Sequence, residues 1–268
     1  MLFLTRGGHV WASYDKGESF RDITRDLPQS SGLFIASITP TAKGGAVLIA
    51  TNNVDVWSSK DGGRTWTHGR VPANIMSLST HPVHDSWFAV QTINRACYGS
   101  STCSLDLYLT TDGGVNFALL TTYITEFSWA GAGLNQVPEN QLLVVDWADK
   151  TGDFRSKPAD QKRLVRSTTF FQTSDAILYN VIDFLYLNSV FLVAQRAKTA
   201  GGLQLLISEN YGAHWISTRF PHTGTLERVC YIHVSLLVHV VVLTVVAALQ
   251  HSWQRTGRSG DQYRAFAR

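Results

Sequence analysis

The octapeptide Ser59-Lys60-Asp61-Gly62-Gly63-Arg64-Thr65-Trp66 decides the fold, because the chain contains four versions of it. Each version has a Ser or Thr, then an Asp or Asn at the third place, Gly at the fifth and an aromatic residue at the eighth. The copies start at residues 13, 59, 110 and 208, hence 46, 51 and 98 residues apart. We call them boxed turns, and the residues that define them are Ser13, Asp15, Gly17, Phe20, Ser59, Asp61, Gly63, Thr65, Trp66, Thr110, Asp112, Gly114, Phe117, Ser208, Asn210, Gly212 and Trp215.

The gap before the last boxed turn is close to two repeats, which predicts a decayed copy inside it. The segment from Ser167 to Thr173 fits: it keeps Ser167, Thr169, Phe171 and Thr173 but has lost the acid and the glycine. The starts at 13, 59, 110, 167 and 208 are then 46, 51, 57 and 41 residues apart. Such spacings are typical of one four-stranded propeller blade.

The chemistry of each boxed turn predicts a hairpin corner. A short Asp side chain accepts hydrogen bonds from backbone N–H groups two or so residues further on. Glycine at the fifth place allows a positive φ, and the closing aromatic ring is a large apolar plug between sheets. We therefore expect Asp15, Asp61 and Asp112 to close their own turns, although catalysis or ligand capture by these carboxylates is the functional alternative.

The segments around the boxed turns have the pattern of strands. Leu105, Leu107 and Leu109 alternate with other residues before the third boxed turn, as in a half-buried strand. Short apolar runs separated by Pro or Gly fill the other intervals, and no convincing helical period occurs before residue 232. The sequence predicts an all-β protein, a β-propeller with about five four-stranded blades.

The composition excludes several classes of protein. Among 268 residues, 44% are apolar and 16% are charged, which excludes a disordered chain or a charged helical bundle. A net charge of +3 is too balanced for a nucleic-acid-binding surface. No cofactor motif is recognisable, so we expect no cofactor.

The C-terminal part differs in composition, so we divide the chain into residues 1–225, the propeller part, and residues 226–268, an apolar and then basic tail. Residues 232–249 carry no formal charge and include seven valines. Eighteen such residues just reach the length of a membrane span, whereas a high valine content also suits buried strands. Both interpretations stay open.

Three local features allow more than one interpretation. His81 and His84 flank Pro82-Val83, which we expect to be a surface turn and not a metal clamp. The charged loop 149–158 is either a solvated loop or a partner-binding insertion. The three cysteines allow one bridge and one odd thiol, or metal ligation by Cys97 and Cys103.

The pattern Ser-x-Asp-x-Gly-x-Thr-Trp resembles the Asp-box of sialidases, some glucan hydrolases and sortilin-type vacuolar protein-sorting receptors. Three features are most similar to the receptors: Gly8-His9-Val10-Trp11 leading through the first boxed turn into Asp22-Ile23-Thr24, the closely spaced Cys97 and Cys103, and the degenerate Phe170-Phe171 copy. The resemblance covers roughly Leu4 to Phe220. It implies about half of a ten-bladed luminal propeller and a short disulfide between Cys97 and Cys103.

The resemblance implies a function without catalysis. The receptor part would bind soluble hydrolase precursors or peptides and carry them from Golgi to endosome or vacuole, on the luminal side, with residues 232–249 as a possible membrane attachment. The ligand-binding residues are not identified by the motifs. The alternatives are a sialidase-like glycoside hydrolase, with Asp106, Asp146, Asp149 and Asp153 as available acids outside any recognisable motif, and a non-catalytic scaffold propeller.

Overall fold

The computed structural model describes residues 1–30, 32–94, 97, 102–130, 138–158, 161–187, 190–196, 203–208, 214–219, 229–237 and 240–247. These residues form strands and turns and contain no α-helix. Two 3₁₀ turns cover Thr24–Asp26 and Phe154–Ser156. The contacts separate two compact units, residues 1–220 and residues 221–268.

The first unit contains five antiparallel sheets that follow one another along the chain, each with its strands in sequence order. Sheet 1 has β1 (Leu2–Leu4), β2 (Val10–Ala12) and β3 (Arg21–Asp22); sheet 2 has β4 (Ile35–Pro40), β5 (Ala46–Ala50), β6 (Asp55–Ser59) and β7 (Thr67–Arg70); sheet 3 has β8 (Asn74–Thr80), β9 (Phe88–Ile93), β10 (Leu105–Thr110) and β11 (Ala118–Thr122). Sheet 4 has β12 (Ile124–Trp129), β13 (Leu142–Trp147), β14 (Lys162–Ser167) and β15 (Asp175–Tyr179); sheet 5 has β16 (Val181–Leu187), β17 (Val190–Arg196), β18 (Leu203–Ser208) and β19 (Ile216–Arg219).

Consecutive sheets pack face to face, and a separate apolar cluster lies between each pair. Leu48 of β5 belongs to the cluster shared with sheet 1, whereas Val47 of the same strand belongs to the cluster shared with sheet 3. Further clusters lie between sheets 3 and 4, around Leu107 and Val144, and between sheets 4 and 5, around Leu164 and Val181. Four-stranded up-and-down sheets stacked in this way make the fold an all-β propeller.

Sheet 1 departs from the prediction of four-stranded blades. Its boxed turn joins β2 to β3, as the second boxed turn joins β6 to β7, so β1 corresponds to the second strand of sheet 2. The strand that corresponds to β4 is absent among the described residues of sheet 1. β1 is consequently the edge of a three-stranded sheet.

The first strands of sheets 2 to 5 share an irregular register that the sequence pattern did not predict. A β-bulge follows Ile35, Ile75, Ile124 and Val181 in their pairing with the second strands. An apolar residue follows three positions later in each strand and packs against the cluster shared with the preceding sheet. These residues are Ile38, Leu78, Phe127 and Phe184. A bulge bends the strand and increases its twist locally.

The second unit contains an antiparallel pair, β20 (Val229–Leu237) and β21 (Val240–Ala247). Most of the valine-rich segment that we considered as a membrane span therefore lies in these two strands. A register shift separates Val229 from Tyr231, and Ile232 lies opposite Val245. No helix among the described residues is long and apolar enough to cross a membrane.

Sheets 2 and 3 approach so closely at Gly69 that only glycine fits. A Cβ built on Gly69 of β7 would lie 1.7 Å from the carbonyl oxygen of Gly114, in the third boxed turn. The Gly114 oxygen is a backbone atom and the added Cβ is bonded directly to the backbone, so no side-chain rotation can relieve the clash.

We predict that Gly69→Ala destabilises the protein by about 3 kcal/mol, because sheet 2 and the third boxed turn must separate to admit the methyl group. The free energy of unfolding, measured by denaturant titration, checks this. Gly7→Ala is the matched control, since the nearest atom to its added Cβ lies at 3.5 Å. Equal stability of the two variants would contradict the close approach.

Candidate functional site

The second boxed turn is closed by its own side chains. The hydroxyl of Ser59 accepts the N–H of Gly63 at 2.8 Å and donates to Asp61 Oδ1 at 2.8 Å. Asp61 also accepts the N–H groups of Arg64 and Thr65 at 3.0 and 2.9 Å and the Thr65 hydroxyl at 2.6 Å. The Nε1–H of Trp66 donates to the Gly63 carbonyl at 3.1 Å.

The first and third boxed turns repeat these bonds. Ser13 Oγ and Thr110 Oγ1 accept the N–H groups of Gly17 and Gly114 at 2.7 and 2.9 Å and donate to Asp15 and Asp112 at 2.9 and 2.8 Å. The closing rings pack against a neighbouring ring, Phe20 against Phe3 at 5.4 Å and Phe117 against Phe88 at 5.9 Å between centroids. The carboxylates of Asp15 and Asp112 thus serve their own turns.

The decayed copy keeps the turn without the acid or the glycine. Ser167 Oγ accepts the N–H of Phe171 at 2.9 Å, and Thr169 Oγ1 takes the role of the carboxylate by accepting the N–H of Thr173 at 2.8 Å. Phe171 has a φ of 64°, where the other copies have glycine. In the last boxed turn, Ser208 ends β18 and Trp215 packs against the cluster between sheets 4 and 5, while Asn210 and Gly212 lie outside the described residues.

Hydrogen bonding holds the pKa of the boxed carboxylates below the ordinary value. For Asp61 the hydroxyl and N–H of Thr65 contribute most, followed by the hydroxyl of Ser59. Ser19 has the same effect on the pKa of Asp15. These carboxylates are therefore ionised and accept hydrogen bonds from their own turns. A general acid, by contrast, must carry a proton for part of the time at the working pH.

The disulfide and the charged loop lie at the end of sheets 3 and 4 that is opposite to the boxed turns. Cys97 and Cys103 are bonded to each other, and both are buried. The carbonyl of Cys103 accepts the N–H of Phe154 at 2.8 Å, so the loop after β13 docks on the cysteine loop after β9. The hydroxyl of Tyr123 donates to the Gly152 carbonyl at 2.6 Å.

Ion pairs hold the charged loop 149–158. Lys157 Nζ lies 2.6 Å from Asp149 and 5.1 Å from the ring centre of Tyr123. Hydrogen bonds from Lys157 and Thr151 lower the pKa of Asp149 to about 2. Asp153 pairs with Arg155, and a pocket of about 490 Å³ opens between the loop and Trp147.

Two further acids are buried. Asp146 is 2.6 Å from Lys150 Nζ and 2.8 Å from Arg163 Nε. Asp106 accepts the Ser104 hydroxyl at 2.7 Å, and burial raises the pKa of this carboxyl. Asp106, Asp146, Asp149 and Asp153, the acids available to a glycosidase mechanism, are therefore each engaged in a hydrogen bond or an ion pair.

His81 and His84 both contact Glu139, His81 through the backbone carbonyl and His84 through the side-chain carboxylate. His81 is fully buried; its Nε2 lies 2.8 Å from the Glu139 carbonyl, and its Nδ1 accepts the N–H of Val83 and of His84. These bonds require the neutral ring with the proton on Nε2. His84 Nε2 lies 2.6 Å from Glu139 Oε2. Among the described residues no group of three or more His, Cys, Asp or Glu is placed to hold a metal ion.

A groove of about 300 Å³ follows the first strands of sheets 3, 4 and 5. Gln91 anchors it: its Oε1 accepts the Ser77 hydroxyl at 3.0 Å, and its Nε2 donates to the Thr125 carbonyl at 3.1 Å. Glu126 Oε2 accepts the N–H of Phe184 at 3.4 Å. The lining residues are Ser77, Gln91, Thr125, Glu126, Phe127, Ser128 and Phe184.

This first-strand groove combines hydroxyl, carboxamide, carboxylate and aromatic groups, and ligand-binding pockets commonly combine aromatic surface with a few polar groups in this way. The sequence pattern did not predict this groove. Its residues come from four strands, which are the first strands of sheets 3, 4 and 5 (β8, β12 and β16) and the second strand of sheet 3 (β9), and no local motif marks them.

The chain matches a family model, and the relatives it matches are sorting proteins. The model Sortilin-Vps10, described as "Sortilin, neurotensin receptor 3", matches residues 8–256. Vacuolar protein sorting/targeting protein 10 of Laccaria bicolor is 23% identical over 220 residues, which are 79% of this chain and 14% of that protein. The protein of the same name from Aspergillus clavatus is 23% identical over 229 residues, covering 82% of this chain and 14% of its own length.

Solved β-propellers are similar at low identity. YCF48 from Cyanidioschyzon merolae is 13% identical, with a TM-score of 0.40, over 81% of this chain and 70% of that one. The β-propeller domain of the Trilobed protease from Pyrococcus furiosus is 12% identical, with a TM-score of 0.42, over 78% of this chain and 68% of that one.

We predict that Asp61→Asn lowers the denaturant midpoint at pH 7 and that its deficit shrinks in acid. The folded-state pKa of Asp61 lies below its unfolded value of about 3.9. The carboxylate therefore stabilises the fold above about pH 4, and this contribution is lost as the pH falls. Denaturant titrations between neutral and acid pH measure the deficit, with Lys60→Gln, a neighbouring exposed residue, as the control. A deficit independent of pH would show that the charge plays no part.

We also predict that the double variant Cys97→Ala, Cys103→Ala is less stable than the oxidised protein, because the disulfide lowers the conformational entropy of the unfolded chain. The loss should be only about 2 kcal/mol, since the loop that the disulfide closes is short. Denaturant titrations with and without a reductant test this. The reductant should lower the stability of the natural protein to the level of the variant and leave the variant unchanged. Equal stability of the variant and the oxidised protein would contradict the prediction.

Proposed function

The chain belongs to the sortilin/Vps10 family, and from this membership we propose that it is part of the cargo-binding region of a sorting receptor. It spans 14% of the length of the curated relatives it matches. The proposed cargo is a soluble hydrolase precursor or a peptide, carried from Golgi to endosome or vacuole. No bond is made or broken in this role.

The first-strand groove is the observation that carries the proposal. It is formed by three consecutive sheets, and the bond from Gln91 to the Thr125 carbonyl ties two of them together. Phe127 and Phe184 offer apolar surface beside the carboxylate of Glu126. This arrangement suits a cargo segment with an apolar side chain next to a hydrogen-bond donor or a basic group.

The disulfide supports the proposed location. Disulfides persist in oxidising compartments such as the lumen of the secretory pathway and are rare in the cytosol. The bond between Cys97 and Cys103 also positions the loop that docks on it through Phe154. A luminal location, which we propose to be on the Golgi and endosomal side, is consistent with this disulfide.

We predict that Phe127→Ala weakens the binding of a purified, fluorescently labelled vacuolar hydrolase precursor about tenfold, because it removes aromatic contact area from the groove. Titration by fluorescence anisotropy measures the affinity. Leu119→Ala is the matched control, since Leu119 is an exposed apolar residue of β11, the last strand of sheet 3.

Two results would overturn the proposal. The first is equal loss of affinity in Phe127→Ala and Leu119→Ala, which would remove the groove as the binding site. The second is turnover of a sialidase substrate by the purified chain, abolished by replacing Asp106 or Asp146, which would make the glycoside-hydrolase interpretation correct.

A further inference from the structure

A pocket of about 390 Å³ lies where sheet 1 meets the second boxed turn. One wall belongs to β3 and the turn that follows it, and the other belongs to the second boxed turn. The residues that the argument uses are Tyr14, Arg21, Asp26, Pro28, Arg64 and Trp66. We call it the arginine pocket, because Arg21 and Arg64 are its two cations.

Hydrogen bonds fix the walls of the arginine pocket. The Tyr14 hydroxyl and the Trp66 Nε1–H both donate to the Gly63 carbonyl, at 2.6 and 3.1 Å. The Pro28 carbonyl accepts the Nε1–H of Trp57 at 2.7 Å. The pocket is thus formed by groups that already have fixed positions, and binding would cost little ordering of the protein.

Arg64 is held in place but has no acidic partner. Its guanidinium carbon lies 5.0 Å from the ring centre of Tyr14, and its Nη1 donates to the Asp61 carbonyl at 3.2 Å. Within the described part of the chain no carboxylate forms an ion pair with this guanidinium group. A guanidinium group stacked on an aromatic ring presents its edge for two parallel hydrogen bonds to an oxyanion.

The other charged groups of the pocket leave room for one negative charge. Arg21 Nη2 lies 2.5 Å from Asp26 Oδ2, so these two side chains balance each other. The charge of Arg64 is then the net charge of the lining residues. Pro28 and Trp66 add apolar surface beside it. A single carboxylate attached to an apolar group therefore complements the pocket in both charge and surface.

The two arginines are not needed for the fold of the repeat. Arg64 occupies the sixth place of its boxed turn, where the next boxed turn has Val115. Arg21 begins β3, and the residue that begins the equivalent strand β7 is Thr67. Neither turn closure nor strand pairing therefore explains the two guanidinium groups, and the equivalent place between sheets 2 and 3 has neither of them.

We propose that the arginine pocket binds an acidic segment of a partner polypeptide. An Asp or Glu carboxylate of the segment accepts two hydrogen bonds from Arg64, and a neighbouring apolar side chain packs on Trp66 and Pro28. Charge-assisted hydrogen bonds of this kind are stronger than those between neutral groups, and the paired geometry adds specificity. The pocket and the first-strand groove are formed by different strands, so the inference does not rest on the proposed cargo function.

The test uses the full chain and a fluorescently labelled peptide, Gly-Glu-Phe-Glu-Phe-Glu-Gly, followed by fluorescence anisotropy. Two control peptides separate the two parts of the ligand: one has Gln in place of every Glu, and the other has Ala in place of every Phe. Each change should weaken binding at least about tenfold. Inorganic phosphate should displace the labelled peptide only at concentrations far above those at which the unlabelled peptide does so.

Arg64→Ala tests the protein side of the pocket and should weaken binding of the acidic peptide about tenfold. Arg64→Lys should recover only part of this loss, because lysine keeps the charge but lacks the planar pair of donors. Arg25→Ala is the matched control: it removes the same charge from an exposed position of the neighbouring 3₁₀ turn, outside the residues that line the pocket. Asp26→Asn keeps the shape of the side chain but removes a negative charge, and should strengthen binding about threefold.

A circular-dichroism melt verifies that each variant is folded. The proposal is wrong if Arg64→Ala and Arg25→Ala bind equally, if Asp26→Asn does not bind more tightly, or if the acidic peptide does not bind. It is also wrong if either control peptide binds as tightly as the acidic one, or if phosphate displaces the peptide at equal concentration, which would make the ligand a free anion. Phe127→Ala, which changes only the first-strand groove, should leave the affinity for the acidic peptide unchanged, so the two proposals fail separately.

Discussion

The structure depends on the sharing of apolar faces between consecutive sheets. A strand such as β5 has no polar face, because Leu48 packs towards sheet 1 and Val47 towards sheet 3. Burying one such side chain contributes about 1.5–3 kcal/mol, and a single sheet with both faces exposed to water would forfeit this on both sides. Each sheet is thus stabilised by the sheets that pack against it, which is why the sequence repeats at one blade length.

The boxed turns link the sheets as well as closing their own hairpins. Tyr14, in the first boxed turn, donates to the Gly63 carbonyl of the second at 2.6 Å, and Ser58 of β6 donates to the Gly113 carbonyl of the third at 2.6 Å. The carbonyls are aimed by the positive φ of the glycines in the turn. The carboxylate fixes the turn, the turn orients a carbonyl, and the carbonyl accepts a hydrogen bond from the preceding sheet. This sequence of effects explains why the acid recurs at blade spacing without forming a reactive centre.

Much of this could be predicted because it is local. The turn chemistry of Asp61 and Gly63, the strand alternation around Leu107 and the place of the decayed copy all depend on residues within one hairpin. The groove around Gln91 and Thr125 could not, because its contacts join strands of different sheets. Nor could the replacement of glycine by Phe171 at positive φ. In these cases the neighbouring sheet, and not local propensity, decides the outcome.

The valine-rich C-terminal segment shows why hydropathy alone was ambiguous. A strand buried on both faces reads as a continuous apolar run, as a membrane helix does; residues 46–50 and 142–145 are such runs inside the first unit. What separates the two is pairing. β20 pairs with β21, shifts register after Val229 and places Ile232 opposite Val245, the same order of β-branched residue, bulge and apolar residue that the first strands of sheets 2 to 5 show. Most of the apolar run at residues 232–249 thus lies in two paired strands, the first of which shows the register shift of a blade's first strand.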